Sequence, residues 1–400
     1  MDDNKLLELR QKYGNAFYIF DFGQFKKNYF DLKDAFSSIY PNFNLAYSYK
    51  TNYIPKVCKI VDELGGYAEV VSEMEMEIAL RVGVKPEKII WNGPVKNYKK
   101  VKELLLAGGR VNLDSRCEIP YIIKISEDYP SRTLNIGIRV NFEINDGVVS
   151  RFGFDIDSED LKEALELSKI KNINLDCIQC HFATRSLDTW RPRAEGMIKF
   201  LENYKIFPAI IDLGGGLFGK MPDSLKEQFD CEIPTYKDYA NVVAPILSKK
   251  YGKNGPTLIL EPGSALVGDC MQFMATVESI KDIRGKKIAS ILGSIYNINP
   301  TLNKKNPPIK VVRCGLKQEN YTDLDFGGYT CIESDYVYRH YNGELTVGDM
   351  VAFGNAGSYS IVLKPPFILP NFPILSLDEE SIEVLKKQET FDDLFHTFVY

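Results

Sequence analysis

The sequence predicts an α/β protein, a (βα)8 barrel followed by a C-terminal antiparallel β-domain. From about residue 40 to 265, short apolar, β-branched runs alternate with amphipathic helical stretches, and each run stops at a polar residue or a glycine. After residue 265 the helical period fades, and alternating strand-like runs separated by glycine turns take its place. The first region holds eight runs, at 45–50, 67–71, 89–92, 111–114, 134–140, 175–181, 209–213 and 257–261. Alternation of this kind builds a parallel sheet, and eight repeats suit a closed barrel better than a doubly wound open sheet.

In chain order, residues 17–21 form a strand-like run ahead of a helix near 24–36. This run has no place among the eight and is expected to pair with the C-terminal domain. Ser72 to Glu75 reads as a capping box that opens a helix, with Gly83 after its last periodic residue. A second helix covers 97–107 and is closed by Gly108 and Gly109. Beyond the barrel, strands are expected at 271–277, 288–295, 309–313, 336–341 and 350–353. The charged stretch DEESIEVLKK near the C-terminus has helical character.

Composition narrows the function. Apolar content of 44%, charged content of 26% and a net charge of -5 are those of an ordinary globular protein. No basic stripe suggests nucleic acid, and no apolar run is long enough to span a membrane. The charged N-terminus lacks the apolar core of a signal peptide, so a cytoplasmic location is expected. Eight cysteines are too few for a disulfide scaffold in a chain of this length.

A βα barrel builds its active site at the C-terminal ends of its strands. In order, those ends carry Lys50, Glu69, Asn92, Asp114, Arg139, His181, the triple glycine Gly214-Gly215-Gly216, and Glu261. Each has a plain reading. Lys50 fits a solvated lysine at a loop start, the glycines a tight turn, Glu261 a polar strand end before Pro262-Gly263, and His181 a satisfied core histidine. Together they supply what a phosphorylated, aldehyde-bearing cofactor requires. These are an amine for a Schiff base, backbone N–H groups for a phosphate, a flat ring for stacking, and a carboxylate for a ring nitrogen. Cys177-Ile178-Gln179-Cys180-His181 matches the CxxCH of haem attachment, but it lies inside a predicted strand. Its cysteines are better explained as barrel filling, and no second Cys/His pair has zinc-ligand spacing.

In order along the chain, several motifs resemble the fold-type III pyridoxal-phosphate decarboxylases, the group of diaminopimelate, ornithine and arginine decarboxylases. They are Phe17-Tyr18-Ile19-Phe20-Asp21, Tyr49-Lys50-Thr51-Asn52, Ala68-Glu69-Val70-Val71-Ser72 with Glu75, Asp114-Ser115 with Glu118, and Ser150-Arg151-Phe152-Gly153. Further on come His181 with Thr184, the triple glycine, Glu261-Pro262-Gly263, Cys331 with Asp335, and Gly357-Ser358-Tyr359. The resemblance implies a TIM-like barrel of the alanine racemase type over residues 30–265. Residues 1–29 and 266–400 would form a β-rich domain at the interface of a homodimer with shared active sites.

It implies pyridoxal 5'-phosphate as cofactor and decarboxylation through a Lys50 Schiff base and a quinonoid. His181 would stack on the ring and Glu261 would pair with its nitrogen. Glu69 would lie near the Schiff base, while Thr184, Gly214, Gly215, Gly216 and Tyr359 would hold the phosphate. Cys331 from the other subunit would protonate the product carbon. Arg139, Glu333 and Asp335 are the candidate substrate contacts. No metal is expected.

Three departures bear on the substrate. Ser264 stands where the family usually has arginine after Glu-Pro-Gly. Ile332 follows Cys331 where an acid is usual, although Glu333 comes next. Phe182 and Ala183 interrupt a histidine motif that usually holds small residues. Losing a distal cation and a distal acid together argues against diaminopimelate. The expected substrate is a modified, conjugated or carrier-tethered amino acid, with Arg185, Trp190 and Arg191 able either to face it or to begin an exposed helix. The alternative functions are an amino-acid racemase on the same cofactor and a non-catalytic pyridoxal-phosphate-binding protein.

Overall fold

A computed structural model describes residues 3–314, 318–378 and 381–399. The chain forms two compact units. One comprises residues 29–218 and 233–265, the other residues 1–28, 219–232 and 266–400.

The first unit is a closed ring of eight parallel strands: Phe43–Ser48, Tyr67–Val70, Ile89–Trp91, Arg110–Leu113, Leu134–Asn141, Ile173–Gln179, Ile210–Asp212 and Thr257–Leu260. Each pairs with its neighbours in sequence, and Leu258 opposite Phe43 closes the ring. A two-residue strand, Phe154–Asp155, adds to the outside of the fifth. The strands read as unbroken apolar runs because both faces are buried. Helices cover the outside, while Ala46, Ile90, Cys177, Ile210 and Ile259 form one packed layer. Cys177 and Cys180 are both buried free thiols, which accounts for the apparent haem motif.

Caps fix the helices. Asn97 accepts from the N–H groups of Lys99 and Lys100 to start the helix Tyr98–Leu106. Ser72 likewise accepts from Glu75 N–H at the start of Glu73–Arg81. The expected capping box is only half present there. The Glu75 carboxylate turns back to the N–H of Val71 at 2.8 Å and so ties the helix to the end of the second barrel strand.

The second unit is a nine-stranded sheet, and it is mixed rather than antiparallel. The strand Ala16–Phe20 does join it, antiparallel to Met271–Ile283 and parallel to Ile374–Asp378. Lys286–Ile291 runs parallel to Glu319–Gly327. Long connections separate both parallel pairs, so no hairpin dictates their direction. The stretch expected to be helical near the C-terminus is the strand Ser381–Lys386. Ile382 alternates onto the face that packs against Phe17, Met274 and Leu375, and this burial overrides local helix preference. The run expected at 288–295 stops at Ile291, and a short helix, Ile295–Ile298, follows. Among the described residues no helix is long and apolar enough to cross a membrane.

Candidate active site

The first barrel strand delivers Lys50. Tyr47 and Tyr49 are fully buried on either side of Ser48, and the Tyr47 hydroxyl donates to the carbonyl of Asn52 at 2.7 Å. This locks the 3-10 turn Tyr49–Thr51 with Lys50 outward, its side chain 34% exposed. The Lys50 amine donates to Ser48 Oγ at 2.6 Å and to Glu69 Oε2 at 2.7 Å. Burial pushes the Glu69 carboxyl up. The charge of Lys50, with hydrogen bonds from Lys50, Ser48 and Asn92, outweighs it and holds Glu69 below the ordinary carboxylate range.

Asn92 joins this pair to a second one. Its amide Nδ2 donates to Glu69 Oε1 at 3.0 Å and to Glu261 Oε1 at 2.5 Å. Asn112 donates to the Asn92 carbonyl at 2.8 Å and so fixes which way the amide points. Gln179 donates to both Glu261 oxygens at 3.3 Å. Glu261 is raised to about 7, by burial first and then by the charge of Glu69. Asp212 lies well above its usual value for the same reason, with Glu261 as its like-charged neighbour. Asp212 Oδ2 finds no donor among the described residues unless it, or Glu261, carries a proton. The floor of the site is therefore an acid pair that holds a proton near neutrality.

His181 lies above it. The Gly215 N–H donates to His181 Nδ1 at 2.9 Å, so the ring is neutral with its proton on Nε2. Burial lowers its pKa well below normal, and the charges of Lys50, Arg139 and Arg193 add to that.

The triple glycine is dictated by close approach. A Cβ would fall 2.5 Å from Cys180 O at Gly214, 2.6 Å from Glu261 O at Gly215 and 2.7 Å from Phe182 O at Gly216. The N–H groups of Gly214 and Gly215 are committed to Asp212 and His181. The N–H groups of Gly216 and Leu217, which follow, have no hydrogen-bond partner among the described residues and can meet an anion. Beneath them lies Arg193, which the sequence reading passed over. Its guanidinium is fully buried, lies 4.0 Å from the Trp190 ring, and donates to the carbonyls of Leu213, Gly215, Phe182 and Thr184. It therefore ties the glycine turn to the histidine loop with a positive charge. Trp190 is core, and Arg191 pairs with Glu195 on the surface, so neither faces the site. Thr184 sits at the same turn, with its hydroxyl donated to Asp146 at 2.6 Å.

Arg139 is buried and bonded to Asp114 at 3.3 Å, and Asp114 also accepts from Gly153 N–H. In the second unit, the Asp335 carboxylate accepts from Ser294 Oγ, Ile295 N–H and Thr330 Oγ1, which clamps the loop that carries Cys331. Cys331 and Glu333 are exposed at its tip. Tyr359 is held at φ 62°, in the left-handed region, just after Gly357, whose Cβ would meet Val267 O at 1.7 Å.

Residues 23–268 match the family model described as "Pyridoxal-dependent decarboxylase, pyridoxal binding domain". The chain belongs to the pyridoxal-dependent decarboxylase family. Diaminopimelate decarboxylase of Aquifex aeolicus is 26% identical over 410 residues, covering 97% of this chain and 92% of that protein. The same enzyme of Methanocaldococcus jannaschii is 26% identical over 418 residues, covering 98% and 93%. A crystal structure of the M. jannaschii enzyme superimposes with a TM-score of 0.88 at 24% identity, covering 98% of this chain and 94% of that one. The Helicobacter pylori enzyme, solved with L-lysine, gives 0.84 at 23% identity, covering 98% of each chain.

This protein is thus a pyridoxal-phosphate-dependent carboxy-lyase of fold type III. The residues present fit that cofactor. A lysine amine, a neutral imidazole, a buried acid pair and a glycine turn over a buried arginine supply the four kinds of contact it needs.

Proposed function

We propose that this decarboxylase acts on an amino acid other than diaminopimelate, with Lys50 as the covalent anchor of the cofactor, in a homodimer whose sites are shared. The observation that carries the assignment of Lys50 is its amine, 2.7 Å from Glu69, joined through Asn92 to the buried pair Glu261 and Asp212. Pyridoxal phosphate supplies an aldehyde that condenses with amines and a ring that accepts the electrons released when carbon dioxide leaves.

The chain's own residues do the rest. Lys50 must lose a proton to condense, and Glu69 holds its amine at the strand end. Glu261, together with Asp212, would accept a hydrogen bond from a protonated ring nitrogen and so keep it protonated. His181 offers its flat face, held by the Gly215 N–H. Gly216 and Leu217 N–H groups, Tyr359, and Thr184 once turned from Asp146 bind the phosphate, with the charge of Arg193 behind them. The thiol of the partner's Cys331 delivers the proton to the product carbon.

Arg139 and Asp335 are bound into the scaffold, which leaves Glu333, exposed beside Cys331, as the acidic contact to the substrate. Ser264 and Ile332, in place of a cation and an acid, support a substrate whose far end differs from that of diaminopimelate, such as a conjugated or carrier-tethered amino acid.

The test is a carbon dioxide release assay over a panel of free and N- or side-chain-conjugated amino acids. Release from a conjugate well above that from diaminopimelate supports the reading. Fastest release from diaminopimelate itself overturns it.

A further inference from the structure

A cleft of about 240 Å3 opens in the β-rich unit, walled by Tyr296, Tyr329, Ile332, Lys364, Pro365 and Phe367. Its lining is mostly apolar, and the hydroxyls of Ser294, Thr330 and Tyr329 are engaged. Ser294 and Thr330 donate to Asp335, and Tyr329 donates weakly to the Phe367 carbonyl at 3.5 Å. Lys364 is different. It is 7% exposed, and its ammonium has no hydrogen-bond partner among the described residues. The Phe372 ring centroid lies 4.9 Å from it. Glu389, the nearby acid, is bonded to Lys386 and to the N–H of Asn371 and does not reach Lys364. A buried cation without an anion is an unmet demand for one. Burial lowers the Lys364 pKa to about 8, with Glu389 opposing and Lys386 adding.

We infer that this cleft binds a small carboxylate-bearing molecule, its apolar chain along Ile332, Pro365 and Phe367 and its carboxylate on Lys364. Resting on the function proposed above, the carboxylate is the far end of the substrate. Thr330 and Ile332, which flank Cys331, line the cleft, so a molecule protonated by Cys331 extends along it.

The probe is glutarate, with glutaramide as its uncharged isostere, added to the full-length protein. Lysine acetylation at pH 8 is read by peptide mass spectrometry, and glutarate affinity by calorimetry. Glutarate is expected to slow acetylation of Lys364 about tenfold while glutaramide leaves it unchanged. Lys364→Met is expected to weaken glutarate binding about tenfold, the loss of one charge-assisted hydrogen bond, and Lys364→Arg to retain it. Equal protection by both probes, or undiminished glutarate affinity in Lys364→Met, overturns the inference. If Lys364→Met does not fold, acetylation of the wild type with the two probes decides alone. Carbon dioxide release from any amino acid is measured separately, so failure of the cleft and failure of the decarboxylase reading give different results.

Discussion

The two ends of the barrel handle charge in opposite ways. At the end where the strands begin, Arg110 and Asp176 form a bidentate ion pair, with contacts of 2.8 and 2.5 Å and both side chains nearly buried. At the end where they finish, Glu69, Asp212 and Glu261 crowd around one lysine and one neutral histidine, and two of the three acids are held above their usual pKa. The first arrangement is complete and stabilises the fold. The second has a single lysine for three carboxylates, and under the proposed function a protonated ring nitrogen would supply a further cation. The difference teaches that matched buried charge marks scaffold here, and unmatched buried charge marks chemistry.

Mutations at the two ends should therefore separate stability from activity. The largest effect is expected of Lys50→Ala, which should lower carbon dioxide release roughly 10⁴-fold or more in a steady-state assay while the protein stays folded. Arg110→Ala leaves Asp176 buried and unpaired and should cost about 3–5 kcal/mol in urea unfolding, with kcat per folded molecule unchanged. Glu261→Gln should do the reverse. It should lower kcat roughly 10²–10³-fold, while its unfolding midpoint stays at or above that of the wild type, because a like-charge contact is relieved. A Glu261→Gln protein that is destabilised yet active would dissolve the contrast between the ends.

The smallest effect is a pH slope. Burial, and after it the charge of Glu69, raises Glu75 to about 7, although the Val71 N–H and Lys50 oppose this. Between the ordinary glutamate value and about 7 the folded protein holds a proton that the unfolded chain has lost. Stability from this group is therefore present below the unfolded pKa and falls as pH rises to about 7, by on the order of 3 kcal/mol in all. Glu75→Gln keeps an acceptor for Val71 and should flatten that part of the stability curve, as measured by denaturation at a series of pH values.

Much of this rim was legible in the sequence because strand ends are where polar residues must interrupt apolar runs. Lys50, Glu69, Asn92, His181 and Glu261 all announce themselves in that way. Asp212 did not, since it sits inside an apolar run and its role depends on meeting Glu261 from the neighbouring strand. Arg193 was equally hidden. It follows Trp190 by three residues, which puts both on one helix face, but its four carbonyl acceptors come from two loops that sequence order does not bring together. The triple glycine suggested a phosphate cradle, yet hydrogen bonding alone reveals that Gly214 and Gly215 are already engaged. In the β-rich unit the strand Ile374–Asp378 was obscured because it pairs in parallel with the distant Ala16–Phe20, and its antiparallel neighbour Ser381–Lys386 because its charged, helix-favouring residues hide the alternation.

The central claim is that the Lys50 amine is the one that captures the aldehyde. Borohydride reduction of the cofactor-loaded protein, followed by peptide mass spectrometry, tests it most directly. The account predicts a single pyridoxyl group on the peptide containing Lys50, absent in Lys50→Ala. A pyridoxyl group on another lysine such as Lys96, or none on Lys50 in protein that binds the cofactor, contradicts it.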